Sequence, residues 1–154
     1  MPLVRRAATT VSWSPPSENW VKINFDGALF GESDSAGIGV VIRNLEGEVM
    51  AALSEKIVKP QVAELIEILA TQHVVLFSTE TGFYNSVFEG ESSIVIKHLH
   101  DRNVSHSQGG HILKEILSHL NSFVSCSFSN IGRKGNAVAH ALAQRARLSC
   151  PLEV

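Results

Sequence analysis

The sequence predicts one α/β domain, a mixed five-stranded sheet flanked by helices in the order βββαβααβα. Three observations lead there. Alternation with period two opens the domain and recurs in three successive stretches joined by short links, as in an antiparallel meander. Helical spacing takes over after Pro60. Two further short alternating or apolar runs, near Phe88 and Phe128, are then set between helical stripes, so helices must cover a single sheet. Composition agrees: 154 residues, 44% hydrophobic and 18% charged, suit one domain with a sizeable core and exclude a disordered chain.

Val21, Ile23 and Phe25 alternate with Lys22, Asn24 and Asp26, which gives a first strand with Asp26 at its end and Gly27 opening a turn. Gly31 to Ser35 is a polar loop. Ala36 to Arg43 is the second strand, its Gly37 and Gly39 marking close approach of backbone or ligand. Asn44 to Gly47 turns the chain into a third strand over Val49 to Ser54. Val62 to Phe77 carries Leu65, Ile66, Leu69, Ala70 and His73 at helical spacing. Asn85 to Glu89 is the fourth strand and Glu91 to His100 a helix. Ile112, Leu113, Ile116, Leu117 and Leu120 mark another helix, and Val124, Cys126 and Phe128 a fifth strand. Asn136 to Arg147 closes the fold as a helix. Residues 1–19, with Trp13-Ser14-Pro15-Pro16, form a segment preceding the domain, 20–148 the domain itself and 149–154 a tail.

Thirteen basic and fifteen acidic side chains leave a net charge of −2, so nucleic acid is not held here by bulk positive charge and any such binding is local. No apolar stretch is long enough to span a bilayer, and no secretory signal follows Arg5 and Arg6. Two cysteines, Cys126 and Cys150, make no disulfide framework and suit a reducing compartment, with Cys126 a small core residue. The expectation is an intracellular protein, of cytoplasm or nucleus, monomeric and without a membrane partner.

Three acids stand out. Asp26 ends a strand, Glu64 lies in the first turn of the first long helix, and Glu91 follows the fourth strand in Phe88-Glu89-Gly90-Glu91-Ser92. Strand ends lie side by side, and a helix on the sheet can aim its first turn at the same edge. Such a cluster repels itself unless cations bind it, and hard divalent ions with oxygen ligands are the natural solution. Two such ions, held about 3.5–4 Å apart, serve phosphodiester hydrolysis. Singly, each acid has an ordinary explanation, in a turn or at a helix dipole.

The stretch Trp20-Val21-Lys22-Ile23-Asn24-Phe25-Asp26-Gly27-Ala28, with Ala36-Gly37-Ile38-Gly39-Val40-Val41-Ile42-Arg43, resembles the opening hairpin of the ribonuclease H family. Ala63-Glu64-Leu65 resembles its helix-one acidic motif, and Phe88-Glu89-Gly90-Glu91-Ser92 its strand-four motif, usually Glu-Gly-Asp-Ser. Gly135-Asn136-Ala137-Val138-Ala139-His140-Ala141-Leu142-Ala143 resembles the final helix of the plant branch, which is related to retrotransposon reverse transcriptases. The resemblance runs from Trp13 to about Ala146. It implies a ribonuclease H-like fold and a metal-dependent endonuclease that cuts the RNA strand of RNA–DNA hybrids, with a two-metal site for Mg2+ or Mn2+. Carried over by position, the catalytic set is Asp26, Glu64, Glu91 and His140, with Asp26, Glu64 and Glu91 as metal ligands. Gly27, Ala28, Arg133, Lys134 and Asn136 fall where nucleic acid would lie.

Three departures bear on activity. Glu91 stands in place of Asp, which moves its oxygens by a methylene, and Mg2+ demands near-octahedral placement. His140 stands in place of a carboxylate, as is common in the plant branch. Glu32 and Asp34 bring negative charge to a loop that meets the hybrid in bacterial members. They motivate an alternative, a ribonuclease H-like module that binds nucleic acid or protein without cutting. Glu67, one turn past Glu64, could be an accessory acid, with a solvated helix face as its ordinary reading. His98, His100, His106, His111 and His119 resemble a metal tract, but no cysteine pair accompanies them and solvated helix faces are the default. Trp13 and Trp20 are read as aromatics covering the core.

Overall fold

A computed structural model describes residues 3–4, 13, 19–102 and 109–149. The strands are β1 (Leu3–Val4), β2 (Val21–Leu29), β3 (Ser35–Arg43), β4 (Val49–Val58), β5 (Asn85–Gly90) and β6 (Ser125–Asn130). The helices are α1 (Leu65–Glu80), α2 (Ser93–Asp101), α3 (Gly110–His119) and α4 (Ala137–Arg145). They build one sheet in the order β1-β6-β5-β2-β3-β4. β2, β3 and β4 form the antiparallel meander; β5 pairs parallel with β2, and β6 parallel with β5. The five expected strands and four helices are present. The sixth strand, β1, was not expected: two residues pairing with Ser127 and Phe128 carry no alternation to read. The rest of the expected leading segment, and the tail beyond Ser149, lie outside the described residues.

Two boundaries differ from expectation in ways that matter. β2 does not turn at Gly27 but continues to Leu29, paired with β3 as far as Leu29↔Ala36. Gly27 is needed because α1 lies on it: a Cβ there would meet Ile66 Cγ1 at 2.9 Å and the Ile66 carbonyl at 3.2 Å. α1 starts at Leu65, three residues after the expected Val62, so Glu64 becomes its N-cap residue and caps nothing with its side chain.

The sheet separates two unlike faces. Ile23 and Phe25 of β2, Ile38 and Val40 of β3, and Phe88 of β5 bury against α1, α2 and α3 in the main core. The other face carries Lys22, Asn24, Asp26 and Ala28 from β2 with Gly37 and Gly39 from β3, and α4 covers it. That seating is very close. A Cβ at Gly39 would lie 2.1 Å from the Ala139 carbonyl oxygen and 2.4 Å from the Ala143 amide nitrogen, and one at Gly37 would lie 2.1 Å from the Ala143 carbonyl oxygen. Fully buried Ala139, Ala143 and Ala146 complete the fit, with Phe30 beside them, and the Ser54 hydroxyl donates to the Leu142 carbonyl from β4. Among the described residues no helix is long and apolar enough to cross a membrane.

The close seating has a direct test. Gly39→Ala should lower unfolding free energy by about 3 kcal/mol, since the added carbon meets helix backbone that cannot rotate away. Gly31→Ala, with nothing within 4 Å, should be nearly neutral in the same urea titration. Equal effects at the two positions would contradict the packing.

Candidate active site

Asp26 sits on β2 opposite Gly39 of β3, in the strand register that the last helix covers. Its side chain is buried, and Oδ2 lies 2.8 Å from His140 Nδ1. His140 follows Ala139 on α4, so the glycine contact that seats the helix also brings the imidazole to the carboxylate. Oδ2 accepts from Nδ1, which must then carry the proton. His140 Nε2 faces Arg133 Nη1 at 3.1 Å, and because a guanidinium only donates, Nε2 accepts. These two contacts together define the tautomer with the proton on Nδ1.

Glu91 lies between the end of β5 and the start of α2. Ser92 caps α2 by accepting from the Val95 amide, and Asn130 donates to the carbonyls of Gly90 and Glu91. Gly90 allows close packing, since a Cβ would sit 2.6 Å from Phe25 Cζ. Arg133 Nε donates to Glu91 Oε1 at 2.9 Å, and Asn136 Nδ2 donates to Oε2 at 3.0 Å. Asn136, expected at the nucleic-acid surface, is instead a buried brace that also donates to the Phe25 carbonyl and accepts from Asn24. Asn24 in turn donates to Glu89 and accepts from the Trp13 indole, so one hydrogen-bonded chain runs from Trp13 through Asn24, Asn136, Glu91, Arg133 and His140 to Asp26.

The acid of α1 whose charge couples to Asp26 and Glu91 is Glu67. Glu64 is exposed and lines a cleft of about 380 Å³ between α1 and α2, whose walls also include Glu67, Ile68, Ser92 and Val95. Glu67 points inward from the first turn of α1. Its Oε2 is shielded from solvent and has no hydrogen-bond partner. Burial first, then the negative charges of Asp26 and Glu91, push its carboxyl up to about 8, against a smaller opposing pull from Arg133. Burial likewise raises Asp26, opposed chiefly by the His140 hydrogen bond, with Glu91 adding to the rise. The signal for Glu67 lies in helix phase: Glu67, Thr71, Val74 and Ser78 share one inward stripe. Thr71 and Ser78 can be buried because their hydroxyls donate to the carbonyls of Glu67 and Val74. Reading only apolar positions passes over that stripe.

The other expected contacts divide. Arg133 and Lys134 occupy a 3-10 turn before α4, both exposed, with Arg133 committed to Glu91. Ala28 is buried against α4 and Gly27 against α1, so neither offers a side chain to a ligand. Glu32 is paired with Arg147, whose guanidinium also lies over the Phe30 ring. Trp13 covers the sheet beneath Arg43 and Lys22, as a capping aromatic. His106 lies outside the described residues, and the remaining histidines of the tract form no group.

Among the described residues no three His, Cys, Asp or Glu side chains are grouped tightly enough to hold a metal ion. The donor chemistry nevertheless fits one. Asp26, Glu67 and Glu91 are hard oxygen donors that repel one another, and Glu67 carries a shielded oxygen with nothing to bind. Arg133, the protein's own cation, is paired with Glu91 among them.

A family model described as reverse transcriptase-like matches residues 24–146, a span that contains Asp26, Glu67, Glu91 and His140. The chain belongs to this family. Solved structures share the fold of this reverse transcriptase-like domain. Ribonuclease H1 from Halobacterium salinarum NRC-1 aligns with a TM-score of 0.70 and 24% identity over 84% of this chain and 98% of its own. LC11 ribonuclease H1, isolated from compost by a metagenomic approach, aligns at 0.71 with 21% identity, over 85% of this chain and 99% of its own. The same LC11 enzyme in complex with an RNA/DNA hybrid aligns at 0.72 with 22% identity, over 84% of this chain and 99% of its own. No curated protein sequence matches the chain.

The raised Glu67 carboxyl has a consequence for the reverse transcriptase-like domain without metal. Between the ordinary glutamate range and about pH 8 the folded state holds a proton that the unfolded chain has lost. Stability must therefore fall as pH rises through that window, by up to about 1.4 kcal/mol per unit, and level off above it. Glu67→Gln should remove this contribution, read as a shallower pH slope in urea unfolding with chelator present. Identical slopes would place Glu67 in an ordinary, solvated setting.

Proposed function

We propose that this protein is a hydrolase that cuts the RNA strand of RNA–DNA hybrids, using divalent ions, Mg2+ or Mn2+, held by Asp26, Glu67 and Glu91. The observation that carries the reading is the shielded, unpartnered oxygen of Glu67, an acid that the charges of Asp26 and Glu91 reach from β2 and the end of β5. Family membership supports it, as does the shared fold of an enzyme seen with an RNA/DNA hybrid. The chemistry supplied by divalent ions at such a site is Lewis-acid activation of the phosphodiester and of the attacking water.

The chain's own residues do the rest. His140 donates through Nδ1 to Asp26 and so fixes the carboxylate's orientation; it acts as a positioning residue in place of a fourth carboxylate. Asn136 holds Glu91 against β2 through the Phe25 carbonyl. Lys134 is exposed beside the cluster, where a backbone phosphate could meet it. Because Arg147 offsets Glu32, the loop after β2 repels phosphates less than its charge count suggests. The reading extends to a monomer in the cytoplasm or nucleus, with Cys126 a free, buried thiol as suits a reducing compartment. It also includes kinship with plant, retrotransposon-related members, supported by the motif around His140.

One observation favours a second reading, a hybrid-binding module without cleavage: both oxygens of Glu91 are already engaged, by Arg133 and Asn136. A labelled hybrid, incubated with Mg2+ and with Mn2+, separates the two. Wild type should cut only the RNA strand, faster with Mn2+. Asp26→Asn, Glu67→Gln and Glu91→Gln should each lose at least about 100-fold, since a disrupted Lewis acid forfeits several kcal/mol of transition-state stabilisation. Glu64→Gln should stay within about threefold of wild type, as expected for an exposed surface change. Binding without cleavage in either metal would select the second reading. An inactive Glu64→Gln beside a fully active Glu67→Gln would reverse the assignment of the helix acid.

A further inference from the structure

We infer that Arg133 is a built-in counter-ion of the acid cluster, a guanidinium that a divalent cation must displace to be bound. The inference rests on the reading of Asp26, Glu67 and Glu91 as the ion's ligands, and it concerns what the protein does before the ion arrives. Arg133 Nε lies 2.9 Å from Glu91 Oε1, and Nη1 lies 3.1 Å from His140 Nε2. The side chain thus bridges one ligand to the histidine that holds another. Its charge also reaches Asp26 and Glu67. One positive charge thereby offsets part of the electrostatic crowding among these acids.

The arrangement allows release. The Arg133 side chain is 58% exposed, so it can swing into solvent without opening the core. The backbone beneath it stays fixed, because Asn136, at the other end of the same turn, is buried and tied to the Phe25 carbonyl and to Glu91. Departure of the guanidinium frees Oε1 of Glu91 and removes a cation that repels the incoming ion. Binding therefore exchanges a singly charged internal partner for a doubly charged external one. The resting protein is stabilised at the expense of ion affinity.

Titration of MnCl2 into the whole chain, without nucleic acid, tests this by calorimetry and by melting temperature. Arg133→Met should melt lower than wild type in chelator, bind Mn2+ about tenfold more tightly, and gain more in melting temperature from the ion. Lys134→Met removes the same charge one residue away and should change affinity by less than about twofold, because an exposed charge at that remove is screened. Unchanged or weakened Mn2+ binding in Arg133→Met would overturn the inference and leave Arg133 a structural brace. An equal gain in Lys134→Met would overturn it too, by showing a general charge effect. If neither wild type nor Arg133→Met binds Mn2+, the reading of the acid site itself falls, and this inference with it.

Discussion

The backbone contact between α4 and the glycines of β3 is the constraint on which the rest of the molecule depends. Neither Gly37 nor Gly39 can carry a Cβ without driving it into the carbonyls of Ala143 or Ala139. The helix must therefore lie flat on the strand, and alanines must line its inner face. Hydrophobic burial on this side is modest compared with the core beneath α1 and α3. Shape, not bulk, seats the helix. Since Asp26 pairs with Gly39 across the strands, the same contact sets His140 over Asp26. Fold and site are coupled through two residues that have no side chains.

From that seat the polar network follows. Burying Asp26, Asn24, Glu89 and Asn136 would be costly if any were left without partners. Each finds one: imidazole for Asp26, indole and amides for Asn24, amide and ammonium for Glu89, backbone and carboxylate for Asn136. Glu67 beside this network is the exception: its shielded oxygen has no partner, and the charges of Asp26 and Glu91 reach it. A fully satisfied network would describe a scaffold. A buried acid left unpartnered beside such a network leaves an oxygen donor for something else.

Much of this was legible in the sequence. Period-two alternation marked β2 and β3 because each has one strongly apolar face, and the apolar stripe at Ile112, Leu113 and Ile116 marked α3. Glu91 was legible as an acid at a strand end, and Asp26 and His140 through their motifs, although β2 runs three residues past Asp26 rather than ending there. The helix acid was not. Glu64 carries the motif's position, but α1 begins only at Leu65, and rotation along the helix carries Glu67 into the cluster instead. Phase over a full turn depends on where the helix starts, and Glu64 offers no side-chain cap to mark the boundary. Gly27 misled for a related reason: a glycine admitted for helix packing reads like a glycine admitted for a turn. β1 was invisible because a two-residue parallel pairing is a tertiary event with no local pattern.

The proposed cation site draws Asp26, Glu67 and Glu91 from three different elements. Paramagnetic broadening measures this directly. Substoichiometric Mn2+ added to isotope-labelled protein, without nucleic acid, should first erase side-chain carboxyl signals of Asp26, Glu67 and Glu91, with that of exposed Glu64 and those around the histidines of α2 and α3 retained longer. Broadening that begins at His98, His100, His111 or His119, or that spreads evenly over the acidic surface, would contradict the account.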